Sequence, residues 1–173
     1  MNDATKIQYI LDRQDILDCL TRYSRGMDRG DAALCKSAYH EDAWDEHGFV
    51  SMRAHEIVDF GMLYHAANRY TQHILTNHSC EIDGDVAHTE TYFVYVGCYI
   101  EDKPADLRGG RYLDRLERRE GAWKIATRLC LVEWEDSFTE PATVQDPRSA
   151  RAKTDASYMR PLKVPMERRA PDL

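Results

Sequence analysis

Residues 70–134 read YTQHILTNHSCEI (70–82), DGD (83–85), VAHTETYFVYVGCYI (86–100), EDKPAD (101–106), LRGGRYLDRLERR (107–119), EG (120–121) and AWKIATRLCLVEW (122–134). The four long runs are rich in Val, Ile, Thr, Tyr and Trp, the residues that favour a pleated, half-buried surface. Asp83-Gly84-Asp85 and Glu120-Gly121 are tight-turn signals between long antiparallel strands, whereas Lys103-Pro104-Ala105-Asp106 makes a longer break. Gly97, Gly109 and Gly110 fall inside strand patterns, where glycine predicts bulges or sharp curvature.

Upstream the pattern is helical. Tyr9, Ile10, Ile16, Leu17, Leu20 and Tyr23 recur at three- and four-residue intervals, predicting a helix over residues 8–26 that ends near Gly26 and Gly30. Asp31 is the expected N-cap of a short second helix reaching Tyr39. Asp28 therefore falls at a helix–helix junction. A short strand is expected at 43–50. A third helix at 54–67 carries Ile57, Phe60, Met62 and Leu63. Helices first and a long antiparallel sheet afterwards is an α+β arrangement, and a curved sheet wrapped around helices leaves a pocket at its open end.

The 173 residues suit one domain with a real core. With 43% apolar and 31% charged residues, the composition excludes a disordered or fibrous chain. The net charge of −7 argues against broad nucleic-acid binding, which basic patches drive. No apolar run approaches the roughly 20 residues that cross a bilayer, and the N-terminus lacks a signal pattern, so a cytoplasmic address without membrane contact is expected. Cys19, Cys35, Cys80, Cys98 and Cys130 have no C-x-x-C spacing and read as buried free thiols. Residues 1–139 are expected to form the domain. The proline- and arginine-rich residues 140–173 are expected to form an extended tail on the domain or a neighbouring subunit, anchored by Tyr158, Met159, Leu162 and Val164.

Phosphate loops and G-x-S-x-G elbows are absent. His40-Glu41-Asp42 contains half of an iron-binding pattern, but follows a helix rather than lying on a strand. His73 and His78, five apart, should face opposite sides of a regular strand. No metal or other cofactor is expected. The alternating charges from Arg108 to Glu120 suit a solvated, ion-paired face.

The helical opening, Asp28 at the turn, Trp44 with Asp45, Thr71-Gln72-His73-x-x-x-Asn77, Asp83-Gly84-Asp85 and the stretch Arg118 to Ile125 form one ordered pattern. It resembles the SnoaL-like family of the nuclear-transport-factor-2-like superfamily, over about residues 8–135, with scytalone dehydratase, hexachlorocyclohexane dehydrochlorinase and polyketide cyclases among its members. The resemblance implies a cone of helices in a strongly curved antiparallel sheet, and a homodimer or homotrimer. It also implies that Asp28 and His73 form a general-base pair and that Arg128, five residues after Trp123, joins them. A histidine can take a proton near neutral pH, and a carboxylate on its other nitrogen fixes its tautomer. An arginine nearby would stabilise a developing anion. Met27 stands where the dehydratase has tyrosine, and Leu107 to Arg111 lacks that enzyme's second histidine, which argues against scytalone as substrate. Trp44, Tyr92 and Tyr95 are the expected pocket lining, with Tyr99 and Tyr112 as further hydroxyls.

Three functions follow as expectations. The first is a cofactor-independent lyase removing water, halide or an aldehyde from a small cyclic or aromatic compound. The second is an isomerase, cyclase or hydrolase using the same pair. The third is a binding module or partner subunit, as the β subunit of ring-hydroxylating dioxygenases resembles this fold.

Overall fold

Asn2 opens the first helix by accepting the Thr5 N–H on its side chain, and α1 (Asp3–Arg29) runs until Gly30 turns the chain at φ 62°. The computed structural model describes residues 2–101, 103–139, 146 and 148–164. Within α1, Ile16, Cys19, Leu20, Tyr23 and Met27 are buried at helical spacing, while Tyr9, Ile10 and Leu17 lie exposed. The inward stripe thus begins about two turns later than the apolar periodicity suggests. Asp31 caps α2 (Ala32–Lys36) through the Leu34 N–H. Then come β1 (Tyr39–His47), β2 (Val50–Arg53), α3 (Ala54–Tyr64) and a short 3-10 turn at His65–Ala67. The long strands are β3 (Asn68–Asp83), β4 (Val86–Tyr99), β5 (Ala105–Arg119) and β6 (Ala122–Phe138).

The six strands form one curved sheet in the order β2-β1-β6-β5-β4-β3. The fold is α+β with helices packed on this sheet, as expected. One detail differs: β1 runs parallel to β6, so the sheet is mixed rather than wholly antiparallel. β1 arrives from the helices, not through a hairpin, and is free to enter in the parallel sense. At the β5–β6 hairpin, Glu120 (φ 52°) and Gly121 (φ 79°) both adopt left-handed backbone, the two-residue turn that matches strand twist. The pairing shifts by a residue between Gly109 and Gly110, and a Cβ on Gly110 would sit 1.9 Å from the Leu131 carbonyl oxygen. Only a residue without a side chain fits that bulge.

A second shift, between Leu75 and His78, corrects the expectation for β3. His78 pairs directly with Thr91, and its Nδ1 lies 2.9 Å from the Thr91 hydroxyl, so His78 returns to the same inner face as His73. The core between sheet and helices holds Ile16, Leu20, Tyr39, Val58, Leu116 and Ile125, each almost fully buried. Each such aliphatic side chain contributes about 1.5–3 kcal/mol. All five cysteines are free and buried. No helix among the described residues is long and apolar enough to cross a membrane.

Beyond the sheet, residues 148–158 return across α1. Arg29 bonds Asp155 at 3.3 Å, the Tyr158 hydroxyl donates to Asp31 at 2.9 Å, and Arg25 stacks on the Tyr158 ring. Met159, Leu162 and Val164 are exposed, so of the expected anchors only Tyr158 holds. Tail residues 140–145, 147 and 165–173 lie outside the described residues.

Candidate active site

Asp28 occupies the last turn of α1, where the helix lies against β3. Its carboxylate receives three donors from that strand. The Thr71 hydroxyl donates to Oδ1 at 3.1 Å, the His73 backbone N–H to Oδ2 at 2.9 Å, and His73 Nδ1 lies 2.7 Å from Oδ1. A carboxylate that accepts on both oxygens is fixed in angle as well as position, and it fixes the imidazole in turn. With Nδ1–H directed at Asp28, the Nε2 lone pair of His73 is the free basic site. Only 5% of the His73 side chain and 13% of the Asp28 side chain are accessible.

His73 opens onto a cavity of about 340 Å³. Strand register explains its lining. His73 pairs with Tyr95, Tyr95 with Arg108 and Arg108 with Glu135, giving one row across β3, β4, β5 and β6. A second row runs Tyr112, Cys130, His47 across β5, β6 and β1. Both rows line the cavity, with Phe93 between them and Phe49, Phe60 and Tyr64 closing the side away from the sheet. The lining is thus mostly aromatic with few polar groups, the usual character of a small-molecule site.

Two further histidines face this space. His65 follows α3, its Nδ1 3.1 Å from the Tyr95 hydroxyl and its ring 5.7 Å from the His73 ring. Burial, with the His73 and Arg151 charges adding to it, lowers its imidazole to about 3, so it stays neutral. His47 behaves oppositely. Burial opposes charge on its ring, but the bond from Nδ1 to Asp45 Oδ1 at 3.1 Å and the neighbouring Cys130 thiol outweigh it and raise it to about 10. Asp45 is wholly buried, and Tyr39 donates its hydroxyl to it at 2.6 Å. Burial alone would raise this carboxyl; His47, Arg128 and Tyr39 together hold it below the usual carboxylate range. The described residues contain no cluster of three or more side chains able to hold a metal.

The model of the SnoaL-like domain matches residues 8–129 of the sequence. The chain belongs to the SnoaL-like family. Its fold is shared by a hexachlorocyclohexane dehydrochlorinase (type 3) from Novosphingobium barchaimii, at 18% identity and TM-score 0.71, covering 82% of this chain and 99% of that one. A protein from Novosphingobium aromaticivorans provisionally assigned as a scytalone dehydratase matches at 15% identity and TM-score 0.71, covering 83% and 99%. A protein of unknown function from Mycobacterium tuberculosis matches at 24% identity and TM-score 0.65, covering 77% of each chain. No curated protein sequence matches.

In this SnoaL-like chain the structure brings Asp28, His73 and Tyr95 together, sets Tyr112 in the wall of the same cavity, and keeps Trp44, Tyr92, Tyr99 and Arg128 out of its lining. Trp44 is 47% exposed and donates its indole N–H to Ser51, outside the cavity. Tyr92 points to the outer face beneath Arg111 and is also outside. Both corrections follow from strand alternation. Tyr92 is three residues from Tyr95, so the two point to opposite sides, and Trp44 is adjacent to inward-facing Asp45. Arg128 is fully buried below the cavity. It holds Asp114 through two bonds at 2.7 and 2.8 Å and lies over the Tyr23 and Tyr112 rings at 4.3 and 4.1 Å. Burial opposes its charge, but Asp114 keeps the guanidinium firmly protonated. It does not line the cavity. His47, His65, Tyr23, Tyr64 and Glu135 are polar wall residues that the sequence does not single out, and the run expected on a solvated face is corrected at two places, since Arg108 lines the cavity and Asp114 is buried. For His47 a signal existed, since Asp45-x-His47 on a strand puts acid and imidazole on one face. His65 follows a helix end and carried none.

Proposed function

We propose that this protein is a cofactor-independent lyase for a small hydrophobic cyclic or aromatic compound, with His73 as general base and Asp28 as its orienting carboxylate. The observation that carries the reading is the 2.7 Å contact between His73 Nδ1 and Asp28 at the wall of a largely aromatic cavity. His73 Nε2 takes a proton from carbon. The released electron pair forms a double bond to the neighbouring carbon, whose halide departs with its bonding pair or whose hydroxyl departs as water by taking back the imidazolium proton; in a retro-aldol step His73 instead takes the hydroxyl proton, the O–H pair becomes the aldehyde C=O, and the pair of the broken C–C bond passes to the enolate that remains. Asp28 stabilises the imidazolium. Aromatic walls bury the substrate and keep water from the carbanion-like centre.

The test is a mass-spectrometric screen. Chelator-treated wild type and His73→Ala are each incubated with hydroxylated, methoxylated and halogenated aromatic and alicyclic compounds. A compound consumed only by wild type, with a product lighter by water, hydrogen halide or a small aldehyde, supports the lyase. A product of unchanged mass makes the protein an isomerase or cyclase. Equal turnover by both proteins refutes His73 as the base, and no turnover by either refutes a lyase for these classes and leaves a binding role.

A further inference from the structure

A base alone does not complete an elimination or enolisation, because negative charge must be received somewhere else in the cavity. Arg128 was the sequence's choice for that task and lies beneath the cavity floor. The residue above it is different. Asp45, Arg128 and Asp114 pair in register across β1, β6 and β5, forming one wholly buried row. One guanidinium and two carboxylates leave that row one negative charge in excess. His47, two residues along β1 from Asp45, is the cation that balances it. Unlike the buried row, His47 keeps 28% of its side chain accessible, through the cavity it lines.

We propose that His47, bonded through Nδ1 to the buried Asp45, is the oxyanion-binding residue of this site, and that the ligand is a cyclic compound bearing an acidic oxygen, a phenolate or an enolate. His47 Nδ1 is committed to Asp45, which leaves Nε2–H for the ligand. Around the His47–Asp45 pair stand the Cys130 thiol and Arg128 on β6, Tyr112 and Asp114 on β5, and Tyr39 on β1. Burial holds the Tyr39 and Tyr112 phenols far above their ordinary range, so neither competes as an anion. Thiol sulfur is a weak acceptor that a ligand oxygen displaces readily. Arg108, the other cation of the lining, is already matched. It bonds Asp106 at 3.3 Å and the Tyr64 hydroxyl at 3.1 Å, with Glu135 in the adjacent register position. His73 and His47 stand on strands at opposite sides of the sheet order, so base and anion receiver approach a ligand from different walls.

The inference rests on the cavity being the active site, but its test needs no turnover. The probe is 4-nitrophenol, whose absorbance distinguishes phenol from phenolate. At a pH about one unit below the probe's own pKa, wild type is expected to bind it as the coloured phenolate. Its affinity should exceed that for 4-nitrotoluene at least tenfold. His47→Gln, checked for folding by circular dichroism, loses the bound colour and that preference; Trp44→Phe and Arg111→Gln, both outside the cavity, keep both. Binding of the neutral phenol by wild type overturns the proposal, as does the absence of saturable binding. So does loss of colour in His73→Gln or Arg108→Gln with His47→Gln unaffected. An enzyme active through His73 that binds only neutral phenol refutes this inference and leaves the lyase standing. Phenolate binding through His47 without any His73-dependent turnover does the reverse.

Discussion

Replacing Asp28 with asparagine changes one oxygen to an amide NH2 and tests whether the carboxylate governs the His73 tautomer. Three donors meet the carboxylate: the Thr71 hydroxyl and His73 Nδ1 at Oδ1, and the His73 backbone N–H at Oδ2. The backbone N–H cannot change its role. If the amide NH2 faced it at 2.9 Å, two donors would oppose each other in a nearly buried place, at a cost of about 1–3 kcal/mol. The other orientation avoids that cost. The amide oxygen keeps the backbone N–H, the Thr71 hydroxyl rotates to accept, and His73 moves its proton from Nδ1 to Nε2. The Asp28→Asn variant therefore folds with a loss of only about 1 kcal/mol, yet Nε2 is no longer a base. The turnover number on the compound identified by the screen should fall about 10²–10⁴-fold, with KM within a few-fold. Nitrogen-15 histidine spectra read the tautomer directly, Nδ1–H in wild type and Nε2–H in the variant. A loss of turnover under tenfold, or retention of Nδ1–H in Asp28→Asn, would refute the reasoning.

Four further outcomes are expected. The His47 imidazole is raised to about 10 in the folded chain, so its stabilising contribution is complete below about pH 6.5. That contribution is lost as pH rises toward 10; melting temperature should fall across this window in wild type and change less in His47→Gln. His65 is lowered to about 3, so its contribution is present above about pH 6.5 and lost as pH falls toward 3; His65→Phe should flatten the acid limb of the same melting profile. Gly110→Ala places a methyl 1.9 Å from the Leu131 carbonyl oxygen and should cost about 3 kcal/mol or more in urea unfolding, whereas Gly48→Ala, with nothing within 4 Å, carries only the strain of a left-handed backbone at φ 69° and should cost about 1–2 kcal/mol. Tyr92→Phe and Trp44→Phe should leave turnover within twofold, while Tyr95→Phe, which removes the bond to His65, should lower it measurably.

The strand runs and both hairpins were legible because β-branched and aromatic residues between Gly turns admit few other readings. Facing was harder. In β4 the inner positions Ala87, Thr89, Thr91, Phe93 and Tyr95 alternate with His88, Glu90, Tyr92, Val94 and Val96, and neither set is clearly more apolar. Hydropathy alternation therefore could not exclude Tyr92 from the pocket. In β3 an extra residue before His78 inverts the alternation, and no glycine marks the place. Asp28 and His73 were recoverable only because order and spacing matched a known pattern; they are 45 residues apart and meet through the fold. Arg128 was placed on the correct strand, one row too deep, because its partner Asp114 on β5 could not be foreseen from spacing along β6.

The part of the chain outside the family segment also reaches the site. Arg151 donates to the Met27 carbonyl oxygen at 3.0 Å and to the His65 carbonyl oxygen at 2.6 Å. Those carbonyls belong to the residue before Asp28 and to the histidine facing His73, so one guanidinium ties the end of α1 to the turn after α3. Two charge-assisted bonds are involved, and the tail behind them is held by Arg29, Asp155 and Tyr158. Arg151→Ala should therefore do more than loosen the tail. Stability should fall by about 2 kcal/mol, and turnover about tenfold with KM little changed, because the carboxylate keeps its donors but loses its fixed angle. Arg151→Lys restores charge without the two-pronged geometry and should recover less than half of the lost turnover in logarithmic terms. If Arg151→Ala melts earlier yet turns over at the wild-type rate, the tail braces the fold only, and the geometry of Asp28 and His73 is set entirely within residues 8–129.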